Sequence, residues 1–151
     1  MNTQRCQEML QEHQVKPTAN RIVLIKTLAE AERPLSLAEL EQRIITIDKS
    51  GIFRGLCMFK DHGLVHVIED AGGVRYELCR SHRHHHDADD DMHVHFYCER
   101  CHITYCLDQI PLPMVELPEG YLMQTANYII KGICPVCYQM EQKRNLRLNI
   151  T

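Results

Sequence analysis

Two identical pairs, Cys98-x-x-Cys101 and Cys134-x-x-Cys137, stand on either side of residues 102–133 and carry the clearest chemistry in this chain. A two-residue gap lets both sulfurs of a pair converge on one ion from a tight turn. Two such pairs complete a tetrahedral thiolate shell of the kind that holds Zn²⁺. Disulfides are the competing use of these thiols, and they need an oxidising compartment. The chain opens MNTQRCQEML, with no apolar export segment, so reduced thiols in the cytoplasm are expected. One structural Zn²⁺ per chain, held by Cys98, Cys101, Cys134 and Cys137, is the first expectation.

More ligand atoms crowd the same half. Seven of the ten histidines and six of the eight cysteines lie after residue 78. His93 and His95 are two apart, so on a strand both imidazoles project from one face, directly ahead of the first cysteine pair. His82, His84, His85 and His86, followed by Asp87, Asp89, Asp90 and Asp91, form a His- and Asp-rich stretch. Such a loop can collect ions weakly but lacks preorganised geometry. Cys6 and Cys57 read as ordinary thiols. No nucleophile paired with a base and no phosphate-binding Gly loop occurs, so an enzyme is not expected, nor a small organic ligand. No apolar run approaches the ~20 residues of a membrane span.

These ligands need elements to place them. The chain has 151 residues, room for one ordinary domain or two small ones, and a small domain benefits from a metal staple. Residues 3–13 read as a short helix. Thr18 then precedes Ile22, Leu24, Ile25, Leu28 and Ala29, spaced to face a core. Ser36 and Glu39 form a capping box for a third helix to about Ile44. Asp48 or Ser50 opens a fourth, with Ile52, Phe53, Leu56, Cys57 and Phe59 expected on its buried side and Gly63 closing it. Leu64–Glu69 and Val74–Cys79, joined by Asp70-Ala71-Gly72-Gly73, read as a β-hairpin. Helices followed by a hairpin describe a winged helix-turn-helix, whose last helix enters the DNA major groove. Lys49, Arg54 and Lys60 lie along that helix, and Lys16, Arg21 and Lys26 on or beside the second. The net charge of −3 does not itself suggest nucleic acid, but much of the negative charge sits in the run around Asp87–Asp91.

The order winged helix, His-rich segment, Cys-x-x-Cys, short strands, Cys-x-x-Cys resembles the ferric uptake regulator (Fur) family of bacterial metal-dependent repressors. Val15–Arg21 resembles the start of the family's second helix and Arg33–Leu40 the opening of its third. Gly51-Ile52-Phe53-Arg54 stands where the family has Thr-Val-Tyr-Arg. His93-Val94-His95-Phe96-Tyr97-Cys98-Glu99-Arg100-Cys101 matches its His-x-His-x-x-Cys-x-x-Cys signature, the most specific element. The resemblance implies an α+β fold, with a winged-helix DNA-binding domain over residues 1–80, a hinge loop over 81–92 and a zinc-stapled αβ dimerisation domain over 93–151. It also implies a homodimer on a near-palindromic double-stranded operator, with Ser50, Phe53, Lys49 and Arg54 at the DNA and Arg21 in support.

Departures from the family pattern narrow the sensed metal. Iron- and peroxide-sensing members place a His just before the third helix, where this chain has Pro34. A His eight residues before the third zinc cysteine is Ala126 here. Pro111, Pro113 and Pro118 break the stretch where the family has a longer helix. Zinc-sensing members resemble this chain in having a thiolate at Cys79 and a ligand at His66. His66, Cys79, His93 and His95 then make an N₃S set that suits a second, regulatory Zn²⁺ better than Fe²⁺ or Mn²⁺. Cys106, which replaces a family carboxylate, and Glu77, on the strand face of Cys79, are substitute ligands. A zinc-responsive repressor of metal-uptake genes is the leading expectation. An iron- or peroxide-responsive regulator, or a zinc-storage protein without DNA binding, are the alternatives.

Overall fold

The computed structural model describes residues 1–79, 94–107, 109–113, 115–123 and 126–148. The chain divides into two compact units, Met1–Met92 and His93–Thr151. The fold class is α+β in both.

The first unit is built from four helices and a small sheet. α1 (Thr3–Glu12) is capped by Asn2, and α2 (Ala19–Ala31) by Thr18. The two-residue strand β1 (Leu35–Ser36) leads into α3 (Leu37–Arg43). There Ser36 Oγ accepts from the Glu39 N–H at 3.2 Å and Glu39 Oε2 accepts from the Ser36 N–H at 2.8 Å, the reciprocal capping box. α4 (Lys49–Asp61) takes Asp48 as its N-cap. Gly63 then turns the chain at φ +67°, a left-handed conformation that favours glycine. The hairpin β2 (Val65–Asp70) and β3 (Gly73–Leu78) follows, and the sheet order is β1-β3-β2, all antiparallel. This is a winged helix-turn-helix. β1 lay outside the sequence expectation because two residues carry no period of their own; their pairing with Arg75 and Tyr76 makes them a strand.

One core holds this unit. Leu10, Leu24, Ile25, Leu28, Leu40, Ile52, Leu56 and Phe59 are all buried in it. On α4 the buried positions are Ile52, Leu56 and Phe59, a strict i, i+4, i+7 stripe. Phe53 and Cys57, expected inside, instead face solvent, Phe53 at 48% exposure. Each lies about 100° around the helix from a core position, so apolar type without the right phase put them outside. Leu56→Ala should lower stability of this unit by about 2–5 kcal/mol, read as a lower urea midpoint at unchanged slope.

The second unit has strands β4 (Val94–Cys98), β5 (Thr104–Leu107) and β6 (Tyr128–Gly132) in the order β5-β4-β6, followed by α5 (Pro135–Leu148). β4 pairs antiparallel with β5 and parallel with β6. As the three prolines imply, no helix occurs among the described residues between β5 and β6. α5 was not anticipated. Pro135 opens it at the first helical position, where a missing N–H costs nothing. Among the described residues of this unit the buried hydrophobics are few: Val94, Tyr97, Cys98 and Cys134. Among the described residues no helix is long and apolar enough to cross a membrane.

Candidate metal centres and nucleic-acid interface

In the second unit the two cysteine pairs meet. Cys98 ends β4, and the turn after it is closed by the His102 N–H to the Cys98 carbonyl at 2.9 Å and the Cys98 N–H to the Ile103 carbonyl at 3.0 Å. His102 takes a left-handed φ of +58° to make that turn, which swings Cys101 back toward Cys98. The Glu99 N–H donates to the Gly132 carbonyl at 2.8 Å and so ties the turn to the end of β6. Two residues on, Cys134 precedes α5 and Cys137 lies in its first turn. A Cβ on Gly132 would come within 3.1 Å of the Phe96 ring, so the chain passes closely there.

The four sulfurs lie within 4.8 Å of one another, and Cys101 Sγ is 3.9 Å from Cys134 Sγ. A tetrahedron of bonds near 2.3 Å has edges of roughly 3.8 Å, so one ion fits among them. Charge makes the same point. Burial pushes the Cys98 thiol up, but the N–H groups of Cys101, Cys134 and Arg100 outweigh it and bring it down to about 6. The Cys134 N–H donates to Cys98 Sγ at 3.3 Å. Cys134 is lowered, chiefly by the Cys137 N–H in the first turn of α5. Cys137 is pushed up to about 12, first by its hydrogen bond to Cys134. Thiolates gathered this closely repel one another, and a divalent cation at the centre would offset that repulsion. Tyr105 adds a hydroxyl 4.0 Å from Cys101 Sγ, and its own ionisation is disfavoured, first by a hydrogen bond to Cys134.

A second donor group lies in the first unit. β2 and β3 pair His66 with Glu77, and Cys79 follows β3, its N–H donating to the Leu64 carbonyl at 3.0 Å. The His66 ring has a polar partner on each side: Nδ1 is 3.5 Å from Cys79 Sγ and Nε2 is 3.0 Å from Glu77 Oε2. Bonds of 2.0–2.1 Å to nitrogen and 2.3 Å to sulfur at a tetrahedral angle span roughly 3.6 Å, so Nδ1 and Cys79 suit one ion. Glu77, whose side chain is 4% exposed, is then placed to accept the Nε2–H and hold the ring, as carboxylates do behind metal-bound histidines. Met9, Leu28, Arg33, Glu77 and Cys79 border a cavity of about 280 Å³.

His95 and Cys106 are direct partners across β4 and β5 and so share a face, with His95 buried. His93 and the His82–His86 run lie outside the described residues.

On α4, Ser50, Phe53, Arg54, Cys57 and Lys60 are exposed along one side. Lys49 Nζ is 3.4 Å from Glu41 Oε2, an exposed pair that a phosphate can displace. Arg21 Nη1 donates to the Lys16 carbonyl at 2.7 Å, so this arginine also braces the turn before α2. The buried Arg75 escaped the sequence reading. Its Nε donates to Asp70 Oδ2 at 2.6 Å and its Nη1 to Glu39 Oε2 at 2.9 Å.

No protein-family model matches the chain. It is 26% identical over 146 residues to the ferric uptake regulation protein of Staphylococcus epidermidis, covering 91% of this chain and 97% of that one. Its fold resembles the ferric uptake regulator of Vibrio cholerae, with a TM-score of 0.58 at 20% identity over 85% of this chain and 98% of that chain. A zinc uptake regulator complexed with zinc and DNA gives a TM-score of 0.62 at 17% identity, covering 94% of this chain and 99% of that one. A winged helix followed by an αβ unit that carries a four-cysteine cluster is the architecture these matches share with this chain over most of its length. The chain is thus similar to ferric uptake regulators over nearly its whole length, in sequence and in fold.

Proposed function

We propose that this protein is a zinc-responsive repressor of metal-uptake genes, with two zinc sites of different purpose. The four-cysteine site holds a structural zinc. His66 and Cys79 hold the sensed ion, with His93 and His95 as the further nitrogen donors and Cys106 as a substitute. Glu77 orients His66 in this reading. The observation that carries it is the 3.5 Å separation of His66 Nδ1 and Cys79 Sγ, a nitrogen–sulfur pair at the span one zinc ion needs. A thiolate donor favours zinc over the harder Fe²⁺ and Mn²⁺. The Glu77 carboxylate beside His66 favours the second reading, an iron- or manganese-sensing site with an oxygen donor.

The protein acts as a homodimer in this proposal. Exposed Ile130, Ile133, Val136, Tyr138 and Met140 give the second unit an apolar surface that a second copy can cover. Two copies of α4 then address a near-palindromic operator with half-sites about one helical turn apart. Arg54, Lys49 and Ser50 reach phosphate or base, Phe53 supplies an apolar contact, and Arg21 supports from α2.

The test is an anisotropy titration of the chain's own upstream DNA with and without Zn²⁺, alongside metal content of protein purified without added metal. Zinc should tighten binding, and affinity should fall steeply with salt as phosphates are neutralised. Arg54→Ala should weaken binding with zinc content unchanged. Equal binding with and without zinc, or none at low salt, favours zinc storage instead. Purification with iron at the sensor site favours the second reading.

A further inference from the structure

Four charged side chains in the first unit form a network that the DNA-contact stripe and the metal ligands do not use. The side chain of Arg75, on β3, is 7% exposed and its guanidinium reaches in two directions. Toward the wing tip it donates to Asp70 Oδ2 at 2.6 Å, while Asp70 Oδ1 accepts from the Gly72 N–H at 2.7 Å and so shapes the turn. Toward the helices it donates to Glu39 Oε2 at 2.9 Å, the same oxygen that accepts the Ser36 N–H at the start of α3. Arg33 completes the network through Glu39 Oε1 at 2.7 Å. One side chain therefore grips both the wing turn and the capping box of the helix-turn-helix.

Stability alone does not explain such a cluster. Buried ion pairs roughly break even against well-packed apolar side chains, and their better-attested use is to select one arrangement. The position of Arg75 indicates which arrangement. It faces Ser36 across the β1–β3 pairing and lies two residues before Glu77, on the same strand face, roughly 7 Å along the strand. Glu77 pairs with His66, and Cys79 follows two residues later. The strand that presents the sensor ligands thus also carries the grip on the wing and on α3.

We propose that Arg75 is a positioning residue for DNA binding, coupling the metal ligands at the end of β3 to the placement of the wing and the helix-turn-helix within the first unit. This rests on reading His66 and Cys79 as sensor ligands. Metal bound between Cys79 and His66 locks the end of the β2–β3 pair in the spacing it already has, and Arg75 passes that restraint to Asp70 and Glu39. Coupling of this kind is a ratio of affinities, separable from affinity itself.

The experiment uses the full-length protein with Arg75→Met, which keeps the length of the side chain and leaves Glu39 paired with Arg33, and with Arg75→Lys. Zinc stoichiometry, thermal unfolding and DNA affinity with and without Zn²⁺ are measured for each. In Arg75→Met the ratio of zinc-loaded to zinc-stripped DNA affinity should fall at least tenfold from the wild-type value, at unchanged zinc stoichiometry. Arg75→Lys, which keeps the charge but loses the fork, should give an intermediate ratio. Should Arg75→Met fail to fold, Asp70→Asn removes one arm of the grip and carries the same expected fall. A wild-type ratio in the folded variant overturns the coupling role. No zinc dependence in the wild-type protein overturns the sensor reading, and the coupling role with it.

Discussion

Cys101→Ser will release the thiolate-bound metal and unfold the second unit, leaving the first unit folded. The asymmetry follows from where the apolar cores lie. The large buried cluster, from Cys6 to Leu78, belongs wholly to the first unit. Among the described residues of the second, the buried hydrophobics are Val94, Tyr97, Cys98 and Cys134, so half of them are the candidate ligands themselves. So small a core does not offset the entropy of ordering three strands and a helix. Structural zinc in such sites contributes about 10–16 kcal/mol of apparent folding free energy at neutral pH, comparable with the whole stability of an ordinary domain. Circular dichroism and limited proteolysis of the full chain should show the β4–β6 region opened and the winged helix protected, with one metal ion fewer per chain. A metal-free Cys101→Ser protein with an intact second unit would sink the structural assignment.

The two candidate metal-ligand groups differed in how openly the sequence displayed them, for a physical reason. A Cys-x-x-Cys pair is local: the turn that brings its sulfurs together lies within the four residues. The capping box of Ser36 and Glu39 and the left-handed Gly63 are local in the same way, and each is found where its residues place it. His66, Glu77 and Cys79 are assembled by the register of a hairpin, which the Asp70–Gly73 turn signals but spacing alone does not settle. Arg75 went unread because its partners, Glu39 and Asp70, are charged residues on other elements and nothing in their order announces a buried network. β1 exists only as a partner of β3. Phe53 shows the opposite failure, in which an apolar side chain suggested burial although Ile52, Leu56 and Phe59 already set the phase of α4.

Cys79→Ser should abolish zinc-dependent DNA binding while leaving the four-cysteine zinc in place. Serine keeps the size of the side chain but offers a hard, protonated oxygen in place of the thiolate that zinc prefers. It therefore removes affinity for the ion without opening a cavity, and Cys79, only partly buried, makes a small contribution to the core. His66→Ala removes the nitrogen facing that sulfur at 3.5 Å and should act alike. His95→Ala tests the donors assigned to the second unit. On the proposed function the ion acts by binding one conformational state more tightly than another, so loss of the site loses the whole coupling, typically 5–150-fold in affinity. The expected record is a DNA titration that no longer responds to Zn²⁺, one zinc per chain instead of two, and an unaltered unfolding profile for the second unit. If Cys79→Ser kept two zinc ions and a wild-type response, the sensed ion would have to lie elsewhere. If it unfolded the second unit, the division between a structural and a sensing site would be wrong.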